Sequence, residues 1–208
     1  FAGTAGTSGS VDGTGTAARF HGPMGIAVDS AGVVYVADSG NRSIRRISAD
    51  GVVTTLTAPG PGGMGDPRGV AVDASGLLYV ADYGTHTIRT VSSDGTVAGL
   101  AGLSGSAGSA DGTGTAARFN SPSGIVAGAT GFYVADTDND TIRAVTSNGV
   151  VTTVAGLAGR TSSADGIGPA AVFEDPFSVA ADVNGVVYVA DSAAHIIRRI
   201  SATGEVTT

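Results

Sequence analysis

Few residue types in this 208-residue chain could do chemistry, and their spacing narrows the choice further. Cys is absent, which excludes thiol nucleophiles, disulfide scaffolds and Cys-ligated zinc. The three histidines are His21, His86 and His195, with no His-x-x-x-His pair and no neighbouring Glu to complete a metal set. No metal site is therefore expected. Ser and Asp are plentiful, but a hydrolytic triad also needs a buried, oriented His, and none is singled out. No Gly-x-Ser-x-Gly elbow, P-loop lysine or cofactor fingerprint is present. The expectation is no catalytic residue, no cofactor and no enzymatic activity.

One pairing of charged residues does recur. Asp38, Asp82, Asp136 and Asp191 are each followed seven residues later by Arg45, Arg89, Arg143 and Arg198. An Asp–Arg pair once per repeat predicts a structural clamp, because catalysis needs distinct roles at distinct positions. Asp29, Asp73 and Asp182 also recur and would ring a channel, although Gly128 breaks the set. Asp12-Gly-Thr-Gly and Asp111-Gly-Thr-Gly lack the alternating acidic ligands of a calcium loop, so they read as tight turns leading to a packed Phe20 or Phe119.

These residues need a frame, and the frame is repetitive. Gly25 to Asp38 returns as Gly69 to Asp82, and more loosely as Gly124 to Asp136 and Ser178 to Asp191. The prolines just upstream are Pro23, Pro67, Pro122 and Pro176, spaced 44, 55 and 54. Each unit predicts four short strands, such as Gly25–Asp29, Val33–Asp38, Ser43–Ser48 and Val52–Leu56. Asp50-Gly51, Asp94-Gly95 and Asn148-Gly149 mark tight hairpins before the fourth strand. No sustained helical period exists; Thr16–Arg19 and Thr115–Arg118 allow one helical turn each. Repeated four-stranded meanders predict an all-β propeller-type fold.

Pro-x-Gly-Ile-Ala-Val-Asp, then Val-Tyr-Val-Ala-Asp, then Asn41-Arg-Ser-Ile-Arg, resembles the NHL repeat, and the similarity runs through essentially the whole chain. The resemblance implies blades over about 20–56, 64–100, 119–154 and 173–208 within a single domain, 1–208, with residues 1–3 completing the last strand. The stretches around Asp12–Phe20, Asp111–Phe119 and Asp165–Phe173 resemble the long inter-blade connectors of bacterial NHL arrays. The second unit uses Pro59-Gly-Pro-Gly-Gly instead. In the fourth, Ser178 replaces Gly and Ala193-Ala194 replace Gly-Asn. A four-bladed ring, part of a larger ring, and an assembly in which chains complete one another's cut strand all satisfy this pattern.

Variation among the copies concentrates at the second-to-third turns, on the face that also carries the connectors. The equivalent positions there are Arg42, His86, Asp140 and His195, and Tyr83 opens the second of these turns. Loops on a rigid scaffold carry binding residues, so these five are the candidate ligand contacts. Eighteen acids against eleven bases, all Arg, give a net charge of −7 and no basic cluster, which argues against nucleic acid. No apolar run is long enough to span a membrane. The expected function is a binding or scaffold module for a protein, peptide or glycan, in an extracellular or cell-surface bacterial setting. A self-assembling element joined through the cut strand and a metal-assisted lyase or hydrolase on the propeller axis are the alternatives.

Overall fold

The structure, a computed structural model, describes residues 1–128, 130–160 and 162–208. Positions 129, in the third repeat, and 161 lie outside it. Four antiparallel sheets follow one another in chain order. Their inner strands are Pro23–Val28, Pro67–Val72, Pro122–Gly128 and Pro176–Ala181. The second strands are Val34–Asp38, Leu78–Asp82, Gly131–Asp136 and Val187–Asp191. Third and outer strands complete each meander, as in Ser43–Ile47 and Val52–Thr55 of the first blade. Inner strands pack first on second, second on third and third on fourth. Among the described residues no comparable packing joins the first to the fourth, and the blades form a propeller-type arc.

Strand alternation explains why both faces of each blade are apolar. Tyr35 and Ala37 point toward the next blade with Ile44, whereas Val34 and Val36 point the other way. At the second junction Tyr79, Ala81 and Ile88 meet Phe132, Val134 and Val145, and the Tyr79 and Phe132 rings stack at 3.8 Å. Much of each sheet is thus hidden by its neighbour, which is why the chain needs so few charges.

Two expectations require correction. The blades are not uniformly four-stranded: three of them carry a short fifth strand from the connector, Gly13–Thr14, Gly112–Thr113 and Gly166–Ile167, paired to the outer strand. The second blade has four strands, because its short connector lacks the Asp-Gly-Thr-Gly segment. Nor do Asp29, Asp73 and Asp182 ring a channel. Each caps its own hairpin: Asp29 accepts the Ala31 and Val33 N–H groups, Asp73 those of Ser75 and Leu77, and Asp182 those of Asn184 and Val186.

The one-turn segments after the connector Gly are 3-10 turns, Gly15–Ala17 and Gly114–Ala116. Residues 1–3 lie against the first blade's connector. There the Gly3 N–H donates to the Gly15 carbonyl at 3.0 Å, the bond that Gly102 makes to Gly114 and Gly156 to Gly168. No helix among the described residues is long and apolar enough to cross a membrane.

Candidate binding site

The repeated Asp and Arg residues are close to one another in every blade. Arg45 Nη1 lies 2.9 Å from Asp38, and Arg143 Nη1 lies 2.7 Å from Asp136, all four side chains being fully buried. Asp82 and Arg89 approach to 3.3 Å, Asp191 and Arg198 to 3.5 Å. A second carboxylate, from the connector, completes the cluster on the far side of the guanidinium. Asp12 meets Arg45 at 2.6 Å, Asp111 meets Arg143 at 2.7 Å and Asp165 meets Arg198 at 2.9 Å. Phe20, Phe119 and Phe173 stack beneath the same guanidiniums at 5.1 to 5.3 Å. The connector is therefore a strap: its Asp ties the buried Arg, the two residues that follow extend the sheet (Gly-Thr in the first and third blades, Gly-Ile in the fourth), and its Phe fills the space below. In the fourth blade Ala194 stands where Asn41 and Asn139 donate to Asp38 and Asp136, and Asp191 Oδ2 has no hydrogen bond.

The strap makes stability depend on pH. Burial acts to raise the Asp111 carboxyl, but hydrogen bonds from Thr153 and Arg143 outweigh it and hold the group below its ordinary value. A carboxyl lowered in the folded chain contributes stability above its unfolded pKa, and that contribution is lost as pH falls through the folded value. Burial pushes Asp136 up to about 6, so its own contribution runs the opposite way and declines as pH rises toward that value. Asp111→Asn isolates the first effect. Thermal melts of both proteins should differ most at neutral pH, and the gap should close below about pH 4. A gap that stays constant into acid would contradict the assignment.

Arg42, His86 and Asp140 each close a 3-10 turn and His195 closes a plain hydrogen-bonded turn, all four in the left-handed conformation with φ of 52 to 59°. Two of them serve the junctions between blades. His86 Nδ1 accepts the Ser121 N–H at 3.0 Å, and Asp140 Oδ1 accepts the Asp175 N–H at 2.9 Å. Each donor is the residue just before the proline of the next blade. Burial raises the Asp140 carboxyl. Arg42 cannot accept a hydrogen bond; the equivalent Asp66 N–H turns to Asp82 instead, and Ser39 binds the Asp66 carboxylate. None of these four residues lines the cleft between the inner strands. His21 makes backbone bonds to Asp38 and Gly40. Among the described residues no three His, Asp or Glu side chains are gathered as a metal would require.

A different set of variable positions does converge. A cleft of about 380 Å³ runs between the four inner strands. Its lining includes Met24, Arg68, Ser123 and Phe177, the free position in each Pro-x-Gly or Pro-x-Ser motif. Pro23 pairs with Asp38 and Pro67 with Asp82, so these four residues lie at the end of the cleft that carries the second-to-third turns. The motif glycines bring the strands together there. A Cβ on Gly25 would overlap the Arg68 carbonyl oxygen, and one on Gly69 the Ser123 carbonyl oxygen. Ser123 Oγ donates to the Phe177 carbonyl at 2.6 Å, tying the third blade to the fourth.

Arg68 is the one cation of the four. Its guanidinium lies over the Tyr83 ring at 3.3 Å and 6.0 Å from the Phe177 ring, with Nε 3.4 Å from Asp66. Neither terminal nitrogen has a hydrogen-bond partner among the described residues, and the side chain is a quarter exposed. A planar cation stacked on an aromatic ring with both outer nitrogens free is prepared to take a carboxylate or another oxyanion.

Two units match the family model described as NHL repeat, over residues 20–47 and 64–90. The chain carries NHL repeats. No curated protein matches the sequence. Among solved structures, an auxiliary nutrient binding protein from Bacteroides ovatus ATCC 8483 is similar at TM-score 0.71 and 23% identity, over 93% of this chain and 54% of that one. A second auxiliary nutrient binding protein, from Bacteroides thetaiotaomicron VPI-5482, gives 0.74 and 21%, over 88% and 48%. Streptogramin B lyase gives 0.66 and 16%, over 89% and 53%. The chain thus spans about half the length of these proteins. At such identities the likeness shows the fold, and the NHL-type propeller arrangement is that fold.

Proposed function

We propose that this NHL-repeat chain is a non-enzymatic binding module that takes an acidic group of a peptide or glycan at the mouth of the axial cleft. One observation carries the reading: near-identical backbones place three unlike side chains, Met24, Arg68 and Phe177, at one opening, with Ser123 buried behind them. Apolar surface with a few placed polar groups is what a ligand cleft needs. Tyr83 enters the site as the ring beneath Arg68, on the connector face where variable loops also lie. Propeller relatives described as nutrient binding proteins support a binding role, and the lyase among them shows that the fold alone does not decide function. An extracellular or cell-surface setting fits this reading.

Peptide and glycan arrays containing acidic and neutral members test it. Wild-type protein should select acidic members, and Arg68→Ala should weaken that binding at least about tenfold, the effect of losing a charge-assisted hydrogen bond. Selection of neutral ligands, or acidic binding indifferent to Arg68→Ala, would refute the proposal.

A further inference from the structure

The second blade keeps the inner half of the strap and lacks its outer half. Gly63, Met64 and Gly65 take the places of Arg19, Phe20 and His21. The Gly63 carbonyl accepts from Arg89 as that of Arg19 does from Arg45, and the Gly65 N–H donates to Asp82 as that of His21 does to Asp38. Met64 is buried, as Phe119 and Phe173 are. No residue of the short connector answers to Asp12, Gly13 and Thr14. The strand left at the edge is Val97–Ala101, on the outer rim of an internal blade. Repeats added at either end of the arc would stack on the first and fourth blades instead.

The groups that a strap meets in the other blades face outward here. In the first and third blades the Arg Nη2 donates to a strap carboxylate, Asp12 or Asp111, and to the carbonyl before it, Val11 or Ala110. Arg89 donates only through Nη1 among the described residues, and its side chain is 14% exposed where those of Arg45, Arg143 and Arg198 are 0%. The same strap carboxylates accept the N–H and hydroxyl of Thr55 and Thr153. Gly99 stands opposite Arg89 as those residues stand opposite Arg45 and Arg143, and it is exposed, with nothing within 4 Å of an added Cβ. The Gly51, Gly149 and Gly204 carbonyls each take a strap N–H at 2.9 to 3.0 Å, whereas the Gly95 carbonyl accepts no hydrogen bond among the described residues. Val97 is half-buried, although Val53, Val151 and Val206 in the same place are buried.

From these openings in one register we infer that the outer edge of the second blade binds an extended acidic segment of a partner protein, of the form Asp-Gly-x-Gly, as a fifth strand. The Asp carboxylate meets Arg89 Nη2 and the Gly99 N–H. The next two residues pair with Val97 and Thr96, as Gly13 and Thr14 pair with Val53 and Val52. The second Gly donates its N–H to the Gly95 carbonyl. Main-chain pairing along an edge strand supplies affinity, and the carboxylate fixes the register. Charge favours an acid, because Arg89 faces one carboxylate where Arg45, Arg143 and Arg198 each face two. Three blades already hold a segment of this form on equivalent groups, which selects a peptide over a glycan or a free anion. This edge is separate from the axial cleft and does not depend on Arg68.

A labelled peptide with the sequence of residues 108–116, Gly-Ser-Ala-Asp-Gly-Thr-Gly-Thr-Ala, tests this by fluorescence anisotropy. It should bind the wild-type protein. The peptide carrying Asp111→Asn should bind at least about tenfold more weakly, the effect of losing charge-assisted hydrogen bonds. In the protein, Gly99→Thr supplies the hydroxyl of Thr55 and Thr153 and should tighten binding by about two- to tenfold. Gly99→Asp sets a like charge against the peptide and should abolish binding. Position 99 is exposed with open space around it, so both variants should fold, and circular dichroism checks that they do. Arg68→Ala should bind the peptide as wild type does; loss of binding in that variant would place the peptide at the axial cleft and overturn the inference. A wild type that does not bind overturns it too, as does binding indifferent to Asp111→Asn in the peptide or to Gly99→Asp in the protein.

Discussion

Arg143→Ala is expected to lower the stability of the chain by about 3–5 kcal/mol, the cost of breaking a buried ion pair by removing one partner. The guanidinium sits between Asp136, fully buried, and the connector carboxylate of Asp111. It also donates to the Arg118 and Ala110 carbonyls, so its removal leaves four acceptors to be re-satisfied. Asp136 would then be a buried carboxyl with only Asn139 and the Asn120 N–H to stabilise its charge. The second blade provides the internal comparison. Arg89 is partly exposed, faces one carboxylate at 3.3 Å and donates to the Gly62 and Gly63 carbonyls. Arg89→Ala should therefore cost clearly less. Urea unfolding of both variants measures the difference, and equal losses would mean that the connector carboxylate adds nothing.

Gly69→Ala should be the other large loss. Replacing Gly by Ala within a strand normally gains roughly 0.5–1 kcal/mol by restricting the unfolded chain. Here the added methyl would overlap the Ser123 carbonyl oxygen and stand 2.9 Å from the Ile125 nitrogen. Backbone cannot rotate aside as a side chain can, so the inner strands must separate. Overpacking of this kind costs about 1–3 kcal/mol or more and outweighs the entropic gain. Ser178→Ala, at the equivalent position of the fourth blade, should stay within about 0.5 kcal/mol of wild type. A neutral Gly69→Ala would show that the blades meet more loosely at the axis than the glycines imply.

Much of this architecture is legible in the sequence, because a repeat repeats its constraints. The seven-residue Asp–Arg spacing is a local register, and the strands that carry it follow from β-branched runs and Asp-Gly turns. The second carboxylate of each cluster is not local. Asp12 lies 33 residues before Arg45, and nothing in Asp-Gly-Thr-Gly announces that its Gly and Thr extend a sheet. The turn positions carry a second role that their variation does not announce. Arg42, His86, Asp140 and His195 vary as ligand contacts would, yet a left-handed turn tolerates several polar residues, and two of these use their side chains to join blades. The axial residues leave a signal, the free position after each proline, but periodicity cannot tell which end of an inner strand meets its neighbours at the axis.

The most direct test of the axial site needs no known partner, because a small carboxylate with an aromatic body matches Arg68, Tyr83 and Phe177 together. Amide chemical shifts would be followed while benzoate is titrated into the wild-type protein and into Arg68→Ala. The expected result is a set of shifts confined to the strand starts around Met24, Arg68, Ser123 and Phe177, lost in the variant. Shifts gathered at the hairpins on the opposite face, or unchanged in Arg68→Ala, would contradict the assignment of the ligand to this opening.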